Sequence, residues 1–212
     1  MDQTNAQKGQ HSCSTPSGPC VCLTISSKAL PLFFGLLSAG FSVIATAVCS
    51  INELLGREFD IPEAYIEDRI QTIFLNGKAV DDSKSAMIQD GATLALSAAM
   101  PGMVGSTFRK GGTFAGMRSQ ISHAADQSKH DGKQIEVKLK LFNLIAKELG
   151  QNFLERGVWL KGMQMQNFLS ENIAILNQEC KSSALNDQDI NLSKLTVQDF
   201  TGKSVFLKII TI

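Results

Sequence analysis

Neither sign of charge is in excess in this sequence, which has 20 Lys and Arg residues against 20 Asp and Glu residues and a formal net charge of zero. Without a positive excess, the chain has no long-range attraction to nucleic acid or to anionic lipid. Histidine is scarce too: His11, His123 and His130 all fall in polar stretches where no rigid surroundings could hold them in a reacting geometry. The sequence therefore predicts no nucleic-acid partner and no catalytic triad, and we expect that the protein is not an enzyme.

The cysteines are too few and too scattered for a disulfide framework, so a reducing cytoplasm is the expected compartment. His11, Cys13, Cys20 and Cys22 lie close together, but their spacing differs from the usual zinc patterns. We expect no metal and no cofactor, and a zinc site at these cysteines stays open as the alternative. Residues 1–19 are polar and lack a basic start followed by an apolar stretch, which predicts a flexible tail and not a signal peptide.

One apolar run, residues 29–51, carries no charge and is long enough to cross a bilayer as a helix. Pro31, Gly35 and Gly40 interrupt it, and its second half, FSVIATAV, is rich in the β-branched residues that are typical of strands. The run is therefore predicted to be part of a core, with no membrane contact. A membrane anchor is the weaker alternative.

Local signals predict a first unit of strands and helices over residues 20–105. The β-branched run VCLTIS, residues 21–26, is typical of a strand. Ser50 and Glu53 form a capping box that predicts the start of a helix. The Asn76-Gly77 pair stands between two strand-like runs, which indicates a tight hairpin.

The order of these motifs resembles the β-grasp (ubiquitin-like) sulfur-carrier proteins of molybdopterin and thiamin biosynthesis. The motifs that carry the resemblance are SINELL at 50–55, LNGKAV at 75–80, the strand that follows Asp90-Gly91, and MPGMVG at 100–105 in the place of the family's glycine tail. The resemblance covers residues 21–112 and implies a β-grasp fold and, as partner, an adenylating enzyme or a sulfur-transfer protein. Such carriers react at a free C-terminal Gly-Gly carboxylate, whereas this chain continues to residue 212.

Cleavage of the chain at either of two glycine sites could supply that carboxylate. One site is the tail that ends at residue 105, and the other is the RKGG sequence at 109–112, which resembles the end of ubiquitin. The other interpretation is a flexible glycine-rich linker over residues 106–133. The candidate thiocarboxylate or processing residues are Gly105, Gly111 and Gly112, and the candidate tail residues are Pro101, Gly102, Arg109 and Lys110.

Residues 134–212 are predicted to form a second, smaller mixed α/β domain, which gives an α+β class for the whole chain. IEVKLKLF alternates like a half-buried strand, and the segment after it has apolar residues at helical spacing. Trp159 is expected in the core, while the methionine-rich stretch LKGMQMQNFL fits either core packing or a partner-binding patch. Asp81 and Asp82 are interpreted as solvated surface charge.

Two functions follow from these features. The first is a non-catalytic ubiquitin-like binding module in a two-domain soluble protein, which contacts a protein partner through a sheet edge or a hydrophobic face. The alternative is a precursor or fused form of a sulfur carrier that is activated when cleavage after Gly112 or Gly105 exposes a glycine tail.

Overall fold

The computed structural model describes residues 18–46, 49–113 and 134–212. Over these ranges the protein has a mixed α/β fold built on a ten-stranded sheet that contains both parallel and antiparallel pairs. The strands are β1 (Cys20–Ile25), β2 (Phe41–Thr46), β3 (Thr72–Leu75), β4 (Lys78–Ala79), β5 (Thr93–Ser97), β6 (Gln134–Phe142), β7 (Val158–Lys161), β8 (Cys180–Leu185), β9 (Gln188–Asp189) and β10 (Ser204–Thr211).

Seven helices occur within the described residues, and a 3-10 helix, Ser27–Phe33, leads into the first of them. The second continues as a π-helical turn over Leu54–Glu58. The helices are α1 (Phe34–Ala39), α2 (Ile51–Glu53), α3 (Glu63–Asp68), α4 (Gly102–Phe108), α5 (Asn143–Arg156), α6 (Gly162–Glu179) and α7 (Leu192–Thr196).

Strands from the two ends of the chain are interleaved in this sheet, whose order is β4-β3-β5-β6-β2-β7-β10-β1-β8-β9. Strand β6, from the segment predicted as a second domain, runs parallel to β5 and antiparallel to β2. Strand β1 runs parallel to β10 and antiparallel to β8. Each half of the sheet therefore contains one strand from the other half of the sequence.

Three local signals in the sequence are confirmed: the capping box, the tight turn and the first strand. The N–H of Glu53 donates to Ser50 Oγ at 3.2 Å and the N–H of Ser50 donates to Glu53 Oε2 at 3.0 Å, which completes the capping box. Asn76 and Gly77 both have positive φ, 52° and 79°, as the tight turn between β3 and β4 requires. The strand predicted from VCLTIS is β1.

The two halves of the chain share an order of elements, namely strand, helix, strand, helix, two-strand hairpin and strand, with α3 added before the first hairpin and α7 after the second. In both halves the first helix stops at a glycine with positive φ, Gly40 at 115° and Gly157 at 97°, before the next strand begins. The hairpin turns match as well, because Asn186 has a φ of 51°, close to that of Asn76. The repeat is a structural relationship that the sequence analysis did not identify.

Buried apolar side chains from both halves form one contiguous cluster. Phe153 of α5 illustrates the continuity, since its ring lies 5.4 Å from Phe41 of β2 and 4.5 Å from Phe59. A fully buried aromatic ring contributes roughly 1.5–3 kcal/mol through the apolar surface it removes from water. The core thus joins elements that the sequence analysis assigned to two domains.

Candidate functional site

The first half of the sheet has one face against the helices and one face that reaches solvent. In β3, Ile73 and Leu75 are buried in the core, so alternation places Thr72 and Phe74 on the opposite face. In β6 the same alternation leaves Phe142 partly exposed, at 37% of its surface. Large apolar side chains on a solvent-facing sheet surface are a common feature of interaction sites.

An apolar cavity of about 250 Å³ lies on this solvent-facing surface. Its walls come from neighbouring strands that are in register, since Ser97 of β5 pairs with Phe142 of β6. At its far end, Asn143 Nδ2 donates to Ser97 Oγ at 3.2 Å. The open-face groove, as we call it, is lined by Phe74, Ala95, Ser97, Met100, Phe142 and Asn143.

Helix α4 lies against β3 beside the open-face groove. The ring of Phe108, the last residue of the helix, is 5.2 Å from the ring of Phe74. Directly after the helix, the N–H of Lys110 donates to the carbonyl oxygen of Gln71 at 2.7 Å, and Arg109 Nε donates to Gln71 Oε1 at 2.8 Å. One aromatic contact to β3 and two hydrogen bonds to Gln71, the residue before β3, therefore hold the end of α4 in place.

Thr72 lies between these contacts, on the same face of β3 as Phe74. Its side chain is fully buried, and its hydroxyl has no hydrogen-bond partner among the described residues. A buried hydroxyl without a partner costs about 1–3 kcal/mol relative to a hydrated one. Thr72 is therefore buried on this face of β3, next to the contacts of α4, at a cost in free energy.

The RKGG sequence at 109–112 lies at the surface and is hydrogen-bonded to the body of the protein. The N–H of Gly111 donates to Asp81 Oδ1 at 2.9 Å, and Lys110 Nζ donates to the carbonyl oxygen of Ile66 at 2.9 Å. Gly111 is exposed and Gly112 is partly exposed. The diglycine is thus accessible, but it is docked and not free.

Lys110 is anchored in an unusual way for a basic residue next to a diglycine. Burial lowers the pKa of its ammonium group below the ordinary value, while the nearby carboxylates of Glu67, Asp68 and Asp82 act in the opposite direction. The side chain therefore serves to hold the segment against α3, and only Arg109 of the two basic residues is exposed.

Gly105, the other candidate processing residue, lies within α4 and is buried. A Cβ at this position would lie 2.1 Å from the carbonyl oxygen of Met100, so only glycine fits. Pro101 and Gly102 are exposed at the start of the helix, where Gly102 has a φ of 81°. Cleavage after Gly105 would require α4 to unfold, whereas cleavage after Gly112 would not.

A second cavity, of about 480 Å³, lies where the two half-sheets meet. The described residues of β2 and β7 share one ladder pair, Ser42 with Trp159, so the strands diverge beyond it. Gln164 Nε2 donates to the carbonyl oxygen of Gly40 at 3.1 Å across this gap. Trp159 is 7% exposed and its ring lies 5.1 Å from that of Phe206, so its predicted burial is confirmed.

The described cysteines are spread over three parts of the fold: Cys20 and Cys22 lie in β1, Cys49 before α2, and Cys180 at the start of β8. Burial raises the pKa of Cys22 and Cys180, and burial together with nearby carboxylates raises that of Cys49 to about 11. Such thiols are protonated near pH 7 and are weak nucleophiles. Within the described ranges, no three His, Cys, Asp or Glu side chains are arranged to hold a metal ion.

The other residues that the sequence suggested as sites are the histidines, Cys13, Asp81 and Asp82. His11, Cys13 and the other two histidines lie outside the described residues. Asp82 is a turn residue whose Oδ1 accepts from the N–H of Lys84 at 2.9 Å, and this backbone hydrogen bond is the main reason that its pKa is lowered. Asp81 has a role that the sequence analysis missed, because its bond to Gly111 is a long-range contact with no local signal.

Comparison with protein-family models, with curated proteins and with solved structures gave no match to this chain. In the part of the chain that the structure describes, no helix combines the length and the apolar character needed to cross a membrane. The described residues of the uncharged run lie in the 3-10 helix, α1 and β2, in the short connections after α1 and before α2, and in the first residue of α2.

Proposed function

We propose that the chain is a non-catalytic binding module of ubiquitin-like type that holds a protein partner on the solvent-facing surface of its sheet, in the cytoplasm. The single observation that carries this proposal is the open-face groove, in which Phe74 and Phe142 come from different strands and flank an apolar cavity. Such concave apolar surfaces with a few polar groups are typical of binding sites.

The arrangement of the first half-sheet supports the β-grasp resemblance. The β3–β4 hairpin lies beside β5, β5 runs parallel to its other neighbour, and an antiparallel strand lies beyond that neighbour. The departure is that the parallel neighbour is β6 and not β1. A binding module tolerates β6 in the place of β1, because the sheet surface is complete whichever of the two strands lies beside β5.

A photo-crosslinking phenylalanine analogue at position 142 tests the proposal in the native host. We expect a discrete protein adduct that an excess of unlabelled wild-type chain competes away and an excess of the Phe142→Asp chain does not. The same analogue at Val197, which is 77% exposed on α7's C-terminal side, is the matched control. Absence of an adduct at position 142, or the same adducts at both positions, would contradict the proposal.

A sulfur-carrier precursor is the second candidate, and the exposure of Gly111 and Gly112 favours it. In this case an adenylating enzyme or a sulfur-transfer protein is the partner, and processing occurs after Gly112, since Gly105 is enclosed by α4. Intact mass of the natively expressed protein, with and without candidate adenylating enzymes and a sulfur source, distinguishes the candidates. A fragment that ends at Gly112 and exchanges one oxygen for sulfur would favour the carrier, and full-length chain alone would exclude it.

A further inference from the structure

We infer that the open-face groove and the surface under α4 form one continuous seat for an amphipathic helix of a protein partner, and that α4 occupies part of this seat in cis. The inference rests on the proposed binding function and adds the kind of partner and its regulation. The partner helix would carry two apolar side chains on one face, of which one is aromatic, together with a polar group that reaches Thr72.

The aromatic requirement follows from the contact that α4 itself makes. Phe108 lies with its ring 5.2 Å from that of Phe74, and Phe74 also forms a wall of the groove. Aromatic pairs at this separation prefer tilted or edge geometry, and the 55° between these two rings is of that kind. An aromatic side chain from a partner would make the same contact when α4 leaves.

The second apolar side chain follows from the space that α4 leaves unfilled. The cavity of about 250 Å³ lies between Phe74, Met100 and Phe142, and no described side chain occupies it. Buried apolar space of this size provides favourable contacts for an aliphatic or aromatic group. A partner that fills it gains contacts that α4 does not make.

The polar group follows from Thr72. Its buried hydroxyl lacks a hydrogen-bond partner among the described residues, so the cis arrangement leaves a polar atom unsatisfied. A partner with a donor or acceptor at this point would satisfy it. Opening of the seat would otherwise let water do so.

Helix α4 is also weak, as a displaceable occupant must be. Its seven residues include two glycines, a serine and a threonine, which are poor helix formers, and so short a helix has little stability of its own. Its position depends on Phe108 and on the hydrogen bonds to Gln71 that follow the helix. A partner helix therefore competes against these contacts and not against a helix that is stable by itself.

A labelled peptide with the sequence of residues 99–113 tests the inference in the full-length chain. We expect it to bind the Phe108→Ser chain at least tenfold more tightly than the wild-type chain, because α4 in cis competes at an effective concentration in the millimolar range. Binding should disappear in the Phe74→Ser, Phe108→Ser double variant and with a peptide that carries Ser at the position of Phe108.

Equal binding to the wild-type and Phe108→Ser chains, or no binding to the Phe108→Ser chain at millimolar peptide while circular dichroism shows it folded, would overturn the inference. If Phe108→Ser does not fold, Gly105→Ala is used to release α4 instead, with the same expected difference. A negative peptide result combined with a Phe142-dependent partner in cells would remove the inference and leave the proposed function intact. Peptide binding to the Phe108→Ser chain without a Phe142-dependent partner in cells would remove the proposed function and the partner helix with it, and would leave only the docking of α4 on β3.

Discussion

Asn186 and Cys20 lie 166 residues apart in the chain and are joined by two hydrogen bonds. The N–H of Cys20 donates to Asn186 Oδ1 at 2.8 Å, and the N–H of Asn186 donates to the carbonyl oxygen of Cys20 at 2.8 Å. Asn76 and Thr93 are joined by the same two bonds, both also at 2.8 Å. Strand β1 therefore pairs with the β8–β9 hairpin in the same way as β5 pairs with the β3–β4 hairpin.

β1 and β6 each lie among strands from the other half of the chain, and this leads to a prediction about cleavage of the chain. A protease site inserted between residues 113 and 134 should yield two fragments that remain associated, because β6 is paired on one edge with β5 and on the other with β2. Size-exclusion chromatography should show one species of unchanged volume, which separates into two only in denaturant. Two separately folded fragments in native buffer would contradict the interleaved sheet, and protease-treated wild-type chain is the control.

The result also bears on the sulfur-carrier candidate. A fragment that ends at Gly112 lacks β6, which lies between β5 and β2 in the intact sheet. Either the second fragment stays bound and supplies β6, or β1 takes the position between β5 and β2. If the processed fragment is isolated alone and folded, β1 has moved from β10 to that position. Protection of the β1 and β5 amides from hydrogen exchange in the isolated fragment would reveal this movement.

A pair of glycine substitutions should have opposite effects on stability. Gly35→Ala in α1 meets no atom within 4 Å, so it should raise the free energy of unfolding by up to about 1 kcal/mol through better helix propensity. Gly105→Ala in α4 brings a Cβ to 2.1 Å from the Met100 carbonyl oxygen, and such overpacking costs roughly 1–3 kcal/mol.

If α4 is displaceable, as we infer, the structural change in Gly105→Ala should be confined to α4. Urea unfolding measures both variants, and hydrogen exchange should show faster exchange at the α4 amides and unchanged exchange in α1. A stabilised Gly105→Ala chain would show that α4 does not pack on Met100 as described.

The local structure could be predicted from sequence because its causes are local. Ser50 and Glu53 satisfy each other's backbone within one turn, and Asn76-Gly77 supplies two residues that adopt positive φ readily. The turn at Asn186 and Asp187 has the same conformation but lacks the glycine that makes the signal strong, so it was missed.

The pairing of the strands and the position of α4 could not be predicted in this way. β1 and β6 show the same alternating burial, so nothing in either sequence indicates which half of the sheet it will join. Helix α4 contains few helix formers and depends on Phe108 meeting Phe74, a contact between distant segments. The open-face groove requires both features, and so it became visible only in the fold.

Asn76 and Asn186 occupy the same position in the two hairpin turns. If the two turns contribute equally to stability, replacing either asparagine should lower the free energy of unfolding by a similar amount. Asn76→Ala and Asn186→Ala each lose a side-chain hydrogen bond and place a non-glycine residue less suited to positive φ, for an expected cost of about 1–2 kcal/mol each. Urea unfolding of the two variants provides the measurement.

The exposed Gln188→Ala variant in β9 serves as the control for the turn asparagines and should change stability little. A cost at Asn76 with none at Asn186 would mean that β1 is not held beside β8 in solution.

The last prediction concerns acid. Glu148 of α5 accepts hydrogen bonds from Arg69 Nε at 2.9 Å and from the hydroxyl of Tyr65 at 2.6 Å, and these bonds, that from Arg69 first, lower its pKa to about 2 from an ordinary value of 4.5. Since the folded state has the lower pKa, the stabilising contribution is present above pH 4.5 and is lost as the pH falls toward 2. The side chains are 30% and 47% exposed, so screening by water should keep the contribution below about 1 kcal/mol.

The measurement is the difference in unfolding free energy between wild type and Glu148→Gln, obtained from urea titrations at several pH values. This difference in unfolding free energy should be largest at neutral pH and should shrink as the pH falls from 4.5 toward 2. Glu171→Gln on α6 is the control, because Glu171 is exposed and no hydrogen bond or ion pair among the described residues involves it, and this variant should change stability little at neutral pH. A Glu148→Gln difference that stays constant down to pH 2 would mean that α3 and α5 are held together by packing alone, without a contribution from Arg69 and Tyr65.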